Sequence, residues 1–239
     1  MKAIYYDIYK DLREKIMAGV YPYQTFIPSE SKLVLEYGCT HNTIRRALQV
    51  LTLHGFVHSV RGKGVRVIWQ AGHRTRFVFG DIETFREAAA RNGLEATTQV
   101  RAFEYVVADK RIADATGFAV GDELLHVERI RHFDDANLIF DKSYFRASCV
   151  EGLTPEIASD SIFIYLEGEL GMEVTISNRT ITMEYATAED REVLDLLDFD
   201  MLAVVENRTF NSEGVHFETT WSRHRPDYFT FLDTAVRGC

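Results

Sequence analysis

The sequence predicts an α+β protein of two domains: a helical N-terminal domain with a small two-stranded sheet, and a larger C-terminal α/β domain built on an antiparallel sheet. Three observations support this prediction. Apolar residues recur at helical spacing through the first 53 residues, strand-like alternation recurs after residue 97, and charge is divided unequally between the two parts. With 239 residues, 46% of them hydrophobic, the chain has enough apolar material for two cores.

The net charge of −9 conceals an asymmetry between the two parts of the chain. Residues 1–68 carry ten Lys and Arg against five Asp and Glu, a net of +5, whereas the remainder carries 17 basic against 31 acidic residues, a net of −14. A basic N-terminal domain favours a polyanionic partner, and an acidic remainder limits non-specific adhesion. A difference in charge that serves solubility alone is the alternative at this point.

Composition also argues against several classes of protein. No stretch approaches the roughly 18–20 apolar residues of a membrane span, and the first residues are charged and amphipathic, so we expect a soluble, cytoplasmic protein. Cys39, Cys149 and Cys239 are odd in number and lack metal-ligand spacing, which argues against a disulfide framework or a metal site. The sequence shows no cofactor fingerprint and no Ser-His-Asp motif, so we expect neither a cofactor nor enzymatic activity.

Two helices are predicted before residue 39. The first spans residues 4–18 and ends at Gly19. Its apolar stripe has fourfold spacing and consists of Ile4, Ile8, Leu12 and Ile16. The second is short, with Ser29 as its N-cap, an end near Tyr37 and Gly38 as a left-handed terminator.

Thr40 is expected to cap a third helix, "THNTIRRALQVL", whose two faces differ in chemistry. One face is apolar and suits a core, and the other carries hydrogen-bonding side chains that suit base edges and phosphates. The apolar face consists of Ile44, Ala47, Leu48 and Leu51, and the polar face of His41, Asn42, Arg45, Arg46 and Gln49. An ordinary solvated helix face is the alternative.

Two short strands, "FVHSV" and "VRVI", follow the third helix and are joined by the basic turn "RGKG". The order helix, helix, turn, helix and two-stranded wing is that of a winged helix-turn-helix, which we assign to residues 1–68. Each element alone has an ordinary structural explanation. Their joint order within one short stretch favours DNA binding.

The stretch "IPSESKLVLEYGCTHNTIRRALQVLTLHGFVHSVRGKGVRVI" resembles the DNA-binding head of GntR-type bacterial repressors. The resemblance implies a homodimer that reads a palindromic operator in double-stranded DNA, with the wing glycine in the minor groove. It places the DNA contacts at Ser31, Thr40, His41, Asn42, Arg45, Arg61, Lys63 and Gly64. Thr40 and His41 stand where the family usually has Ser and Arg. Because Arg is the common guanine reader, the operator preference is expected to differ.

The acidic remainder begins with "WQAGHRTRFVFG", residues 69–80, which we interpret as a linker and a first strand. A helix, "DIETFREAAARNG", and a strand, "TTQVRAFEYVVAD", follow it. The C-terminal domain is assigned to residues 81–239.

Two stretches of this domain look like copies of one hairpin. "DELLHVERIRHFDDANLIFDKSYF" starts at residue 122, and "DMLAVVENRTFNSEGVHFETTWSR" starts at residue 200. An offset of 78 in the first strand and 77 in the second matches Glu128 to Glu206 and Asp141 to Glu218. This alignment predicts pseudo-symmetric halves that each deliver one carboxylate to a shared cleft. Two unrelated hairpins are the alternative.

Within the first hairpin, Arg129 and Arg131 are two residues apart and project from one face of a strand. A turn near Asp135 puts Asp141 across from Arg129 and diagonal to Arg131. A solvated cross-strand salt bridge is one interpretation. The other is an anion site in which two guanidiniums hold a phosphate or carboxylate.

Residues 81–239 resemble the UTRA effector domain of the HutC-type branch of this repressor family, which shares its fold with chorismate lyase. The segments "DSIFIYLEGELGMEV", "TAEDREVLDLLDFD" and "SRHRPDYFTFLDTAVRG" are similar to the trehalose-operon repressors of that branch. This resemblance implies a repressor that a sugar phosphate, trehalose 6-phosphate, releases from its operator.

The same resemblance places the contacts to the effector. The phosphate contacts are Phe85, Arg86, Arg129, Arg131, Ser161 and Phe163, and the sugar contacts are Asp141, Glu218 and His224. Two alternatives stay open. One is another small anion, such as an amino sugar phosphate, and the other is a chorismate-lyase-like enzyme domain.

Overall fold

The structure, a computed structural model, describes residues 4–70, 89, 96–133 and 136–231. These fall into two compact units, one within residues 4–70 and the other ending at residue 231. Three sequence predictions lie largely or wholly outside the described residues. They are the strand that ends the 69–80 segment, the helix over residues 81–93 and, within it, the two phosphate contacts Phe85 and Arg86.

The first unit has the predicted winged helix-turn-helix order. Its elements are α1 (Ile4–Met17), α2 (Glu30–Tyr37), α3 (His41–Leu53), β1 (Val57–Val60) and β2 (Gly64–Val67). The two strands pair antiparallel, and residues 24–27 add main-chain hydrogen bonds to β2. The predicted helices and wing are confirmed to within about a residue at most ends.

Local capping explains these boundaries. Ser29 Oγ accepts from the Lys32 N–H at 3.4 Å, and Thr40 Oγ1 accepts from the Thr43 N–H at 3.2 Å. Gly38 ends α2 in the left-handed conformation with φ 59°. The buried stripes of the three helices then meet in one core, whose fully buried side chains include Tyr9, Leu12, Leu33, Ile44 and Leu51.

The second unit is built on a six-stranded antiparallel sheet in the order β3-β4-β5-β8-β7-β6. Its strands are β3 (Ala96–Val107), β4 (Glu123–Phe133), β5 (Ala136–Arg146), β6 (Val174–Tyr185), β7 (Met201–Asn211) and β8 (His216–His224). Its helices are α4 (Lys110–Thr116), α5 (Pro155–Asp160), α6 (Ile162–Gly168) and α7 (Ala188–Val193). Short 3₁₀ turns lie at Ala147–Cys149 and Pro226–Tyr228.

The predicted internal repeat is present and is longer than two hairpins. The units β3-α4-β4-β5 and β6-α7-β7-β8 follow one another, and the offset is 78 residues at the start of β3, α4 and β4. The helix N-caps Asp109 and Thr187 obey the same offset. Because β5 and β8 pair at the centre of the sheet, the halves are related by a local two-fold axis.

The predicted offset of 77 in the second strand is wrong. Arg129 pairs with Asp141 in the first hairpin, and its equivalent Asn207 pairs with Thr220 in the second, which makes the offset 79. Asp141 is therefore equivalent to Thr220, and the predicted match to Glu218 fails. The physical reason is one additional residue in the turn before β8. The match of Glu128 to Glu206 agrees with the observed offset.

Both faces of the sheet are covered. One face carries Arg129, Asp141 and Glu218, and its apolar part packs against α5 and α6. We call it the effector face. On the opposite face, a cluster around Phe140 and Trp221 packs near α7, and a second around Leu124 packs near α4.

Candidate functional site

The polar face of α3 is exposed, as predicted. His41, Asn42 and Arg45 are solvent-exposed, while Ile44, three residues after His41, is fully buried. Helical periodicity therefore gives α3 one face for the core and one free to enter a groove. Arg46 differs from its neighbours, because its guanidinium lies 4.0 Å from the centre of the Tyr5 ring.

An acidic residue that was not among the predicted contacts lies beside this surface. Glu30, the first residue of α2, accepts a hydrogen bond from Arg45 Nε at 2.9 Å, and the same oxygen lies 3.8 Å from His41 Nδ1. Glu30 therefore contacts Arg45 through Nε, while most of the Arg45 side chain stays exposed to solvent. No local sequence signal predicts this pairing, because Glu30 and Arg45 are 15 residues apart and meet through the packing of α2 on α3.

The other predicted DNA contacts differ in their roles. Thr40 uses its hydroxyl to cap α3, and Ser31 is exposed in the first turn of α2. Arg61 and Lys63 lie exposed in the turn between β1 and β2. Gly64 has φ 113°, a conformation that a residue with a side chain rarely adopts, which explains the glycine at this point of the wing.

Five of the predicted effector residues, among them Arg131, lie on one face of the sheet. Strand register places Arg129 beside Asp141, and Asp141 beside Ser222 of β8. His224 pairs with Ile139, and Glu218 with Phe145, so both side chains share this face. All five predicted residues are buried: Arg129, Arg131, Asp141, Glu218 and His224.

Arg131 and Asp141 form the tightest polar contact of this cluster. Arg131 Nε donates to Asp141 Oδ2 at 2.8 Å, and Arg131 Nη1 donates to Thr98 Oγ1 at 2.7 Å. Burial alone would raise the pKa of Asp141, but the Arg131 and Arg129 guanidiniums hold it below its usual value. Of the two interpretations of this arginine–aspartate pair, the solvated surface salt bridge does not hold, because both side chains are about 7% exposed.

Arg129 is held less completely. Its Nη2 lies 3.8 Å from Asp141 Oδ2, beyond hydrogen-bond distance, and its buried Nε has no hydrogen-bond partner among the described residues. Burial and the neighbouring charge of Arg131 lower the pKa of Arg129 to about 10. A buried guanidinium with an unsatisfied N–H is suited to an anionic ligand.

Glu218 and His224 lie at opposite ends of the central strand pair. Glu218 accepts from Thr220 Oγ1 at 2.7 Å, and burial raises the pKa of Glu218. Burial lowers the pKa of His224 to about 4. Both side chains are thus biased towards their neutral forms, which suits hydrogen bonding to hydroxyl groups.

Ser161 and Phe163 belong to a helix that covers the effector face. Ser161 is the N-cap of α6, where its hydroxyl accepts from the Ile164 N–H at 3.4 Å. The Phe163 ring packs edge-on against Phe217, with centroids 6.4 Å apart.

Two hydroxyl-bearing pairs that were not predicted from the sequence complete this cluster. Thr98 pairs in register with Arg131, and the hydroxyl oxygens of Ser143 and Thr220 lie 2.7 Å apart across the central strands. Strand alternation predicts the faces of these residues only after strand order is known. The sequence alone did not supply the pairing of β5 with β8.

A winged helix-turn-helix with an exposed polar recognition helix defines a DNA-binding transcriptional regulator, and in this chain it is followed by a domain that buries Arg129 and Arg131. Two family models match the chain: "Bacterial regulatory proteins, gntR family" over residues 4–67 and "UTRA domain" over residues 91–230. The chain therefore belongs to the gntR family of bacterial regulators and carries a UTRA domain.

Two similar proteins span almost the whole chain. The HTH-type transcriptional regulator TreR of Bacillus subtilis is 36% identical over 231 residues, which cover 97% of this chain and 96% of the relative. The HTH-type transcriptional regulator GmuR of the same organism is 24% identical and covers 98% of each chain. This chain is thus similar to both regulators over almost their whole length.

Solved structures agree with this assignment. The effector-binding domain of the B. subtilis trehalose repressor is 38% identical, with a TM-score of 0.55, and covers 60% of this chain and 99% of its own. The possible transcriptional regulator YydK of B. subtilis matches 97% of this chain and 100% of its own, with a TM-score of 0.83. At 19% identity, the second likeness supports the fold alone.

Within the described ranges, no helix combines the length and apolar character needed to cross a lipid bilayer.

Proposed function

We propose that this protein is a dimeric repressor of a sugar-utilisation operon, that trehalose 6-phosphate releases it from a palindromic operator, and that it has no enzymatic activity. The observation that carries the proposal is Arg129, a buried guanidinium with an unsatisfied Nε beside a second buried arginine. The similarity to the effector-binding domain of the B. subtilis trehalose repressor supports the disaccharide.

The effector face suits a ligand with one anionic end and one hydroxyl-rich end. Arg129 and Arg131 supply two cations to one buried carboxylate, Asp141, so a doubly charged phosphate would compensate the excess. Glu218 and His224 are buried on the same face and offer hydrogen-bonding groups for sugar hydroxyls. A fatty acyl chain would leave the two buried guanidiniums without a compensating charge, which is unfavourable.

Release follows if the effector binds more tightly to the form of the dimer that does not fit the operator. Half-site spacing on DNA is set by the helical turn, so changing the placement of two heads removes specific contacts from both half-sites. A differential affinity of about 3 kcal/mol would weaken operator binding roughly 150-fold.

The test is operator binding followed by fluorescence anisotropy during titration with trehalose 6-phosphate. We expect release at micromolar effector, no release by trehalose, and a need for roughly 30-fold more effector in Arg129→Met. Continued operator binding at saturating trehalose 6-phosphate would contradict the trehalose assignment. Release by glucosamine 6-phosphate instead would replace it with an amino sugar phosphate.

The enzyme alternative has a separate test. Chorismate and trehalose 6-phosphate are each incubated with purified protein, and products are sought by mass spectrometry. We expect both compounds to be recovered unchanged. A product that disappears in Arg129→Met would contradict the assignment as a regulator without catalytic activity.

A further inference from the structure

The second unit contains a cleft on the sheet face opposite the effector face. It has a volume of about 380 Å³ and lies between α4 and α7, over the central strands β5 and β8. Pockets of roughly 300–1,000 Å³ are typical of small-molecule sites. Both copies of the internal repeat supply its walls, so the cleft lies near the local two-fold axis. None of the residues proposed to hold the sugar phosphate lines it.

The floor of the cleft is aromatic. Trp221 and Tyr144 come from adjacent central strands and contact edge to face, with ring centroids 6.3 Å apart. Tyr144 also stacks on His126 at 4.4 Å, which fixes the tyrosine ring. Trp221 packs against a buried apolar cluster but stays partly exposed and lines the opening. Such a rigid aromatic surface is suited to the C–H face of a planar or cyclic ligand.

The charged groups around this floor balance one another. Three cations and three carboxylates line the cleft: Arg111, Lys142, Arg223, Glu184, Glu189 and Asp190. Arg223 lies 2.8 Å from Asp190 and 2.7 Å from Glu184, and Lys142 pairs with Glu189. The formal charge of the lining is therefore zero, in contrast to the cationic excess beside Arg129. A phosphate would be no better placed here than a neutral ligand.

We propose that this cleft is a second ligand site, for an uncharged sugar. An aromatic floor surrounded by a balanced set of donors and acceptors matches a ligand with a C–H face and a rim of hydroxyl groups. Because α4 and α7 belong to different halves of the repeat, a sugar bound between them contacts both halves. The site is independent of the proposed phosphate site and goes beyond the proposed function.

The chain supplies its own probe for a direct test. Trp69 and Trp221 are its only tryptophans, so Trp69→Phe leaves a single reporter in the cleft. Emission from Trp221 is followed while trehalose and, separately, glucose are added to the full-length protein. We expect a saturable change in the millimolar range, as suits a small neutral ligand.

Two variants locate the response. Ala115→Leu places a larger side chain on α4 at the lining of the cleft and is expected to abolish the change. Asp114→Leu adds the same side chain one position away, outside the lining, and is expected to preserve it. Circular dichroism shows whether both variants keep the fold.

A third variant separates the two sites. Arg129→Met, made in the same Trp69→Phe background, is expected to keep the neutral-sugar response while needing roughly 30-fold more trehalose 6-phosphate for release from the operator. Three outcomes would overturn the proposed site: no saturable change, a change that persists in Ala115→Leu, or a change lost in Arg129→Met. None of them bears on whether trehalose 6-phosphate releases the operator.

Discussion

Arg131 donates a hydrogen bond to Asp141 across 2.8 Å on the effector face, and both side chains are buried. Strand register alone would predict that Arg129 is the hydrogen-bond partner of Asp141, because the two residues are directly paired across the strands. Its guanidinium nevertheless lies farther from the carboxylate, at 3.8 Å. The two arginines therefore differ: Arg131 is mainly neutralised by the protein, and Arg129 is more available to a ligand.

Asp141→Asn is expected to destabilise the second unit by about 3 kcal/mol, because it leaves two buried guanidiniums without their carboxylate. Urea unfolding of the Trp69→Phe protein, followed through Trp221, measures this unit separately from the head. The control is Asp114→Asn, which removes an exposed carboxylate paired with Lys110 and is expected to change stability by less than about 1 kcal/mol. If the two substitutions lowered stability equally, the buried Asp141 pair would contribute no more to stability than an exposed salt bridge.

Arg129→Met is expected to separate ligand binding from stability. Removing the less compensated charge should cost about 2 kcal/mol of trehalose 6-phosphate binding, roughly 30-fold in Kd. The ligand-free protein should lose little stability, because burial of this guanidinium is itself unfavourable. Calorimetric titration and urea unfolding measure the two effects. Arg101→Met, on a cation paired with Glu128 and Glu189, should leave ligand affinity unchanged.

Glu218→Gln is expected to stabilise the protein increasingly as pH rises. Burial raises the pKa of Glu218, so the folded state holds a proton that the unfolded state has released above about pH 4.3. Stability from this group is present below the unfolded pKa and is lost as pH rises through the folded pKa. Glutamine keeps the neutral shape without titrating, so the gain should be smallest near pH 4 and larger at pH 7.

Thermal unfolding at several pH values provides the measurement for Glu218→Gln. Glu213→Gln makes the same substitution at an exposed turn position, is the matched control, and should change stability by less than about 0.5 kcal/mol. A gain from Glu218→Gln that is the same at every pH would mean that the substitution acts through packing and not through ionisation.

Local signals explain how well the head could be predicted. Ser29, Gly38 and Thr40 act on their own or neighbouring turns, so the ends of α2 and α3 follow from a few adjacent residues. In the second unit, alternation predicted that Arg129 and Arg131 share a face. The turn length before β8 and the β5–β8 pairing depend on tertiary packing, and Asp141 was therefore matched to the wrong residue.

The candidate sites likewise differ in how far they could be predicted from the sequence. A resemblance placed Arg129, Asp141 and Glu218 in one site, and strand register brings them to one face. No sequence motif marks the cleft beside Trp221, because the residues that line it come from separate elements of both repeats. Its balanced charges appear only when Arg223, Asp190 and Glu184 are seen together.

Arg45→Ala is expected to weaken operator binding across sequences and to reduce the slope of log K against log salt by about 1. Arg45 is mostly exposed on the polar face of α3, and Glu30 holds its Nε edge. Lys10→Ala removes the same charge from α1 and should change the slope less. Anisotropy titrations at several salt concentrations measure both slopes, and identical slopes for the two variants would exclude a phosphate contact at Arg45.

His41→Arg is expected to change which base is preferred in each half-site. His41 is exposed at the start of α3, and its Nδ1 lies 3.8 Å from Glu30. An arginine there can bond guanine through two donors, which is worth about 1–3 kcal/mol of discrimination between bases. Selection from a library of randomised half-sites measures the preference.

Gln49→Arg is the matched control for His41→Arg, since it adds the same charge two turns later on the polar face of α3. It should raise affinity for all sequences through phosphate attraction without altering the preferred base. If His41→Arg behaved like Gln49→Arg, position 41 would contribute only charge. The base reader of this head would then have to be sought among Ser31, Asn42 and Arg45.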